Sequence, residues 1–159
     1  MSCIPFENVQ VDIVGPLPRT SKGNEYIVTL VDLATRFVHA VALRSVSAKA
    51  IVKVLVDFFS FVGLPQKVQT DGASYFVGKV FSSFLASQGI NHSVSSPYHP
   101  ESLGALERSH RTLKSRLVKR GLENGKSWDE DLPYALFCLR DTPNSSTGFS
   151  PLNLFLVTR

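Results

Sequence analysis

Three carboxylates in this chain stand where chemistry could be done: Asp12, Asp71 and Glu107. Asp12 interrupts the polar side of an alternating apolar stretch, NVQVDIV, where a carboxylate needs a partner or a cation. Asp71 ends a short KVQT stretch at Asp71-Gly72, and ligands gather at the carboxyl ends of strands in open α/β sheets. Glu107 falls in the first turn of a basic helical stretch. If the first and fourth strands are neighbours in a mixed sheet, Asp12 and Asp71 meet, and a helix crossing that edge brings Glu107 over them. Three carboxylates with few other donors describe a site for hard divalent ions, since Mg²⁺ takes oxygen ligands and keeps several waters. Two such ions about 3.5–4 Å apart can activate a nucleophile and stabilise a leaving oxygen in in-line phosphoryl transfer. Each acid also has an ordinary reading: Asp12 as a satisfied strand acid, Asp71 as a turn acid, Glu107 as a helix N-terminal acid favoured by the dipole. For any one of them alone that reading is preferred, so the chemical case rests on the three together.

The stretch after Glu107 adds to that case. From Arg108 to Arg120 stand six basic residues (Arg108, Arg111, Lys114, Arg116, Lys119, Arg120) and no acid. Arg111 at +4 and Lys114 at +7 share the helical face of Glu107. A carboxylate followed by two cations on one face can hold metal at one end and phosphates along the rest. A basic stripe is the electrostatic footprint of a polyanion partner. Its ordinary alternatives are a solvated helix face and an i,i+4 ion pair worth about 0.3–0.5 kcal/mol.

The elements that must position these residues are legible from period and punctuation. Val9, Val11 and Ile13 alternate with Gln10 and Asp12, a strand over residues 8–14 that ends at Gly15-Pro16-Leu17-Pro18. Residues 26–31 and 37–43 are β-branched or apolar runs around a short polar turn and predict a hairpin. Over residues 47–62 the period changes: Lys49, Lys53, Asp57 and Ser60 form one polar stripe on an otherwise apolar helix, capped by Ser47 and stopped by Gly63 and Pro65. Strands are expected at 67–70 and 91–94 and helices at 78–88, 105–120 and 128–140, with a last helix begun by Ser150-Pro151. Residues 95–104, with two prolines and a glycine, read as a loop. The order predicts an α/β fold, a mixed sheet covered by helices on both faces.

Composition bounds the remaining possibilities. At 159 residues the chain fits one domain, 1–159, which buries roughly 68–70% of its unfolded surface without needing a disulfide or metal staple. With 43% hydrophobic and 19% charged residues it is not a disordered chain. No apolar run approaches the roughly 20 residues of a bilayer span, and the start, MSCIPFENVQ, lacks a secretory signal pattern. Cys3 and Cys138 are not a disulfide framework, and His39, His92, His99 and His110 have no zinc-finger spacing to them. The net charge of +4 is only mildly basic.

The sequence resembles the catalytic core of retroviral and Ty3/gypsy-type retrotransposon integrases, including host-domesticated, gypsy integrase-like relatives. The likeness runs from about Phe6 to Leu156, through VDIVGPLP, YIVTLVDLATRF, VQTDGASYF, SPYHPESLGALERSHRTLK and STGFSPLNLFL. Asp71 and Glu107 are separated by 35 residues, as in the family's D,D-35-E signature. The resemblance implies a ribonuclease H-like fold with a five-stranded mixed sheet flanked by helices on both faces. It implies that Asp12, Asp71 and Glu107 are the catalytic residues and ligate two Mg²⁺ or Mn²⁺ ions, for 3′-end processing and strand transfer of element DNA into target DNA. Arg108, Arg111 and Lys114 would contact DNA, and Tyr98 and His99 belong to the loop beside the site that helps position it. It further implies a homodimer or higher oligomer in the nucleus, with no membrane association and no small-molecule substrate. Neither the family's N-terminal zinc module nor its C-terminal β-barrel is expected within this sequence. Asp32, in VDLATR, reads instead as a structural acid that accepts bonds from the following turn, with Arg36 near enough to pair with it.

Three positions depart from the family pattern. Ala73 stands where a glycine is usual, Glu101 replaces the glutamine of H-P-Q, and Leu103 precedes the loop glycine. Glu101 puts negative charge where DNA would pass, which Coulomb repulsion disfavours. The alternative reading is therefore a domesticated integrase fold, weak or inactive in catalysis, that serves as a nucleic-acid- or protein-binding dimerisation module. A ribonuclease H or other nuclease on the same fold is a third possibility, which the D,D-35-E spacing and the SPYHP loop disfavour.

Overall fold

A computed structural model describes residues 4–95, 111–113, 115–117, 119, 127–145 and 147–157. Strands β1 (Asn8–Val14), β2 (Tyr26–Asp32), β3 (Val38–Leu43), β4 (Lys67–Thr70) and β5 (Asn91–Val94) form one sheet in the order β3-β2-β1-β4-β5. β1 to β3 form an antiparallel meander, whereas β4 and β5 add parallel to β1, so the sheet is mixed as expected.

The alternation read in β1 sorts the two faces. Val9 and Val11 join Val28 and Leu30 in one core, against α1 (Ala48–Val62) and α3 (Lys79–Ser87). Val14 joins Ile27, Val31, Val38 and Ala40 in a second core on the opposite face. That face is closed by Leu113 and Leu117 of the basic helical stretch and by α4 (Trp128–Asp141). α5 (Pro151–Val157) packs beside α4. No helix among the described residues is long and apolar enough to cross a membrane.

α1 forms where its sequence asks for it. The Ser47 hydroxyl accepts the Ala50 N–H at 3.1 Å, satisfying a donor that the first turn leaves free. Ile51, Val54, Leu55, Phe58, Phe59 and Val62 recur at helical spacing and are all buried. Each such burial contributes roughly 1.5–3 kcal/mol before entropy is counted. Lys49, Lys53, Asp57 and Ser60 are exposed, as the stripe predicts. The helix expected over 78–88 forms as α3, and a further element stands before it. A single turn, α2 (Ser74–Val77), precedes α3, and Gly78 breaks them in extended conformation. Four residues are too few for a period to show.

Tertiary anchors tie the second layer to the sheet. Trp128 donates its indole N–H to the Pro18 carbonyl at 2.6 Å. Arg140 donates Nε–H to the Val38 carbonyl at 2.8 Å and lays its guanidinium 4.5 Å over the Phe37 ring. The turn after β1 is tight. Gly15 has φ +135°, and a Cβ there would lie 2.8 Å from the Glu25 carbonyl oxygen. That oxygen cannot easily withdraw, because it accepts the Leu17 N–H at 2.7 Å. Gly15→Ala is expected to cost about 1–3 kcal/mol of folding free energy. Urea denaturation checks this, and a midpoint equal to the parent's contradicts it.

Candidate functional site

Asp12 belongs to the face of β1 closed by the basic helical stretch. Its partner across β2 is Thr29, whose neighbours Ile27 and Val31 lie in that second core. The parallel register of β1 and β4 runs Asn8 to Lys67, Val9 to Val68 and Gln10 to Gln69. Continued two residues, it sets Asp12 beside Asp71, just past the end of β4. The carboxyl ends of two neighbouring parallel strands therefore bring together the two acids that the sequence singled out.

Burial pushes the Asp12 carboxyl up from the ordinary 3.8 to about 6. The Ile13 N–H, accepted by Asp12 Oδ1 at 2.8 Å, works against that shift, while the Asp71 charge and a hydrogen bond between the two side chains add to it. Asp71 itself is exposed, and its Oδ1 accepts the Ala73 N–H at 2.9 Å. Two carboxylates that share a place at such cost supply an all-oxygen donor set that a hard divalent cation neutralises. Among the described residues no group of three His, Cys, Asp or Glu side chains converges as a metal cluster. Glu107, the expected third ligand, lies outside the described residues, as do Tyr98, His99, Arg108 and the side chain of Lys114. Arg111 is described: it is helical and exposed, two residues before the buried Leu113 that seats its helix on the Asp12 face.

Ala73 turns out to be a mild departure. Its φ of −62° suits any residue, so the glycine usual in the family is not required there for backbone reasons. The short α2 helix contributes a group that reading for acids missed. Burial, and after it the Asp71 and Asp12 charges, raise the Tyr75 phenol, so its ring stands within electrostatic reach of both carboxylates. Phe76, beside it in sequence, turns into the core at 4.7 Å from the Tyr75 ring and 5.3 Å from Phe81. The only advance signal was the string DGASYF itself.

Asp32 is placed elsewhere. It pairs with Val9, three positions along β1 from Asp12 and on the opposite face of the sheet. Its Oδ1 accepts the N–H groups of Phe6 at 3.0 Å and Ala34 at 3.4 Å. Its Oδ2 accepts the Thr35 N–H at 3.0 Å and the Thr35 hydroxyl at 2.6 Å. The expected pairing with the Arg36 guanidinium is corrected: Arg36 closes the turn through its backbone N–H, 2.8 Å from the Asp32 carbonyl. The carboxylate has no need of it, with four donors already in place.

This sheet order, with helices on both faces and two acids paired at the ends of β1 and β4, defines a ribonuclease H-like fold. The chain belongs to the integrase core domain family, whose model matches residues 4–100. It is 30% identical over 150 residues to the retrovirus-related Pol polyprotein from transposon 412 of Drosophila melanogaster, covering 94% of this chain and 12% of that one. The chain thus spans about an eighth of the polyprotein it matches. Among solved structures, a chain of the simian T-cell lymphotropic virus intasome in complex with PP2A regulatory subunit B56 gamma superposes with a TM-score of 0.84 at 22% identity. That match covers 96% of this chain and 55% of that one. The HTLV-2 integrase catalytic core domain in complex with magnesium, in a trimeric form, superposes with a TM-score of 0.79 at 20% identity, covering 96% and 98%.

Proposed function

We propose that this chain is a divalent-metal-dependent polynucleotidyl transferase core that trims the 3′ ends of element DNA and joins them to target DNA in the nucleus, working as a dimer or higher oligomer. The observation that carries the reading is the pairing of Asp12 and Asp71 at adjacent strand ends in a chain of the integrase core family. Asp12, Asp71 and Glu107 would hold two Mg²⁺ or Mn²⁺ ions. When bound, such ions activate an attacking hydroxyl and neutralise charge on the leaving oxygen. The protein's part is geometric. Asp12 is fixed by the sheet and by the Ile13 N–H, and Asp71 by its turn onto the Ala73 N–H. Arg111 and Lys114 would hold phosphates along the basic helix, with Arg108, Tyr98 and His99 positioning the DNA nearby. Such phosphate contacts give affinity that falls with salt and ignores base sequence.

A disintegration assay tests this reading. The core is given a branched DNA that mimics the strand-transfer product, and resealing is followed with Mg²⁺ or Mn²⁺. Metal-dependent resealing is expected, reduced at least about a hundredfold by Glu107→Gln, which removes one charge from the metal site at nearly constant shape. A folded parent protein that never reseals would overturn the catalytic reading in favour of a domesticated module that binds DNA or protein. The charge of Glu101 already points in that direction.

A further inference from the structure

Behind Asp71, on the other face of the sheet, two polar side chains meet in an apolar setting. Thr70 is wholly buried. Its hydroxyl lies 3.0 Å from the Asp71 carbonyl oxygen and 2.7 Å from His92 Nε2. The register explains the meeting. β4 and β5 run parallel with Val68 opposite His92 and Thr70 opposite Val94, so His92 and Thr70 are diagonal neighbours on one face. That is the face of Val68, Phe76 and Phe81, and the His92 ring sits edge-on to Phe81 at 5.3 Å and 65°.

With both contacts as hydrogen bonds, one arrangement of protons satisfies them. A carbonyl oxygen only accepts, so the Thr70 hydroxyl proton goes to Asp71. The hydroxyl oxygen must then accept from the ring, which puts the imidazole proton on Nε2. Burial lowers the His92 pKa and favours the neutral ring. The relay ends on the peptide that carries the candidate ligand. Its neighbours are pinned as well: the Thr70 carbonyl accepts the Ser95 N–H at 2.7 Å, and Asp71 Oδ1 accepts the Ala73 N–H. With its carbonyl, its carboxylate and the preceding peptide all held, Asp71 has little freedom left in its aim.

We propose that His92, acting through the Thr70 hydroxyl, is a positioning residue for Asp71: the pair fixes the plane of the Asp71–Gly72 peptide and so sets the direction of the metal-binding carboxylate. The inference rests on the reading of Asp12 and Asp71 as a metal site. Outer partners of this kind orient ligands, and losing one costs about 10–100-fold in metal affinity. Because His92 and Thr70 lie on the face of the sheet opposite the carboxylates, neither touches the metal position directly.

The experiment measures binding of Mn²⁺ alone to the purified chain by electron paramagnetic resonance. The variants are Thr70→Val, Thr70→Ser, His92→Phe, His92→Gln and the double Thr70→Val/His92→Phe, with Asp71→Asn as control. Thermal melts confirm that each is folded. Thr70→Val and His92→Phe are each expected to weaken Mn²⁺ binding about tenfold. Thr70→Ser, which keeps the hydroxyl, should stay within about twofold of the parent by the same reasoning. His92→Gln, which keeps an N–H donor, should bind more tightly than His92→Phe. The double variant should be no weaker than Thr70→Val alone, since both changes cut one chain. If Thr70→Val does not fold, the two His92 variants carry the test. Parent-like binding by Thr70→Val and His92→Phe, while Asp71→Asn fails, would overturn the relay and leave the metal site standing. Losses that simply add in the double variant would overturn it too. A parent chain that does not bind Mn²⁺, or binds it as well after Asp71→Asn, would overturn the metal-site reading and the relay together.

Discussion

Asp12→Asn is expected to abolish metal-dependent resealing of branched DNA and, in the same molecule, to raise thermal stability without metal. The two effects have one origin. Ionised Asp12 is desolvated and faces the Asp71 charge, and its pKa stands at about 6 rather than 3.8. Asparagine keeps an oxygen for the Ile13 N–H and removes the charge. A shift of that size corresponds to at most about 3 kcal/mol at 1.36 per unit. Residual solvent and coupling to Asp71 reduce the expected gain to about 1–2 kcal/mol, or about 2–8 °C in Tm for a chain of this size.

The pH dependence of that gain follows from linkage. The folded pKa is raised, so the folded state holds the extra proton between 3.8 and about 6. The penalty for ionising Asp12 is absent below the unfolded value, grows as pH rises through that window, and is constant above it. The melting-temperature gap between variant and parent should therefore be full at pH 8 and shrink as pH falls from 6 to 4. Mg²⁺ should close it from the other side. A ligand that binds only the folded state stabilises it by about 2.7 kcal/mol at a hundredfold excess over Kd. The parent should gain in this way and Asp12→Asn should not. Melting curves at pH 8 and pH 5, with and without Mg²⁺, settle the matter. A variant no more stable than the parent at pH 8, or a gap that ignores pH, would show that ionised Asp12 carries no penalty from its burial beside Asp71.

Much of this arrangement was legible in the sequence because it depends on local pattern. The alternation in NVQVDIV assigned Asp12 to the polar side of β1, and the period of α1 separated its buried from its exposed residues. The meeting of Asp12 with Asp71 required one further assumption, that the first and fourth strands are neighbours, and the parallel register supplies it. What escaped notice depends on contacts between distant strands. α2 is a single turn with no period of its own, so Tyr75 was not seen beside the acids. The link between Thr70 and His92 exists only because β5 adds parallel to β4 in one particular register, and a one-residue slip would send His92 to the other face. The Asp32 turn was anticipated, but its partner was not. Charge alone pointed to Arg36, whereas four neutral donors fit the two carboxylate oxygens better.

Asp32→Asn separates a structural acid from a fourth metal ligand. Asp32 is 2% exposed, and every group aimed at its carboxylate is a donor. An amide NH₂ cannot accept from any of them, so one side of the asparagine is set against N–H or O–H groups whichever way it is turned. Either way, the amide loses bonds that the carboxylate accepts, from the Phe6 and Ala34 N–H groups on one oxygen or from the Thr35 N–H on the other. Each unmet donor costs about 1–3 kcal/mol, and bonds to a charged acceptor are the stronger kind. The expected loss is about 2–4 kcal/mol, a fall of about 4–16 °C in Tm. Metal binding should behave differently. Asp32 pairs with Val9 while Asp12 pairs with Thr29, so the two acids are about 10 Å apart along the strands at 3.3–3.4 Å per residue, and they point to opposite faces. Below its lowered Tm, Asp32→Asn should therefore bind Mn²⁺ with parental affinity. Parental stability with lost Mn²⁺ binding would place Asp32 among the ligands instead, and would require the strand register described above to be wrong. The turn it organises instead seats Phe6, whose ring packs at 6.0 Å from both Phe37 and Phe58. The acid therefore acts on the core beneath the sheet, and on catalysis only through the rigidity that this core gives to β1.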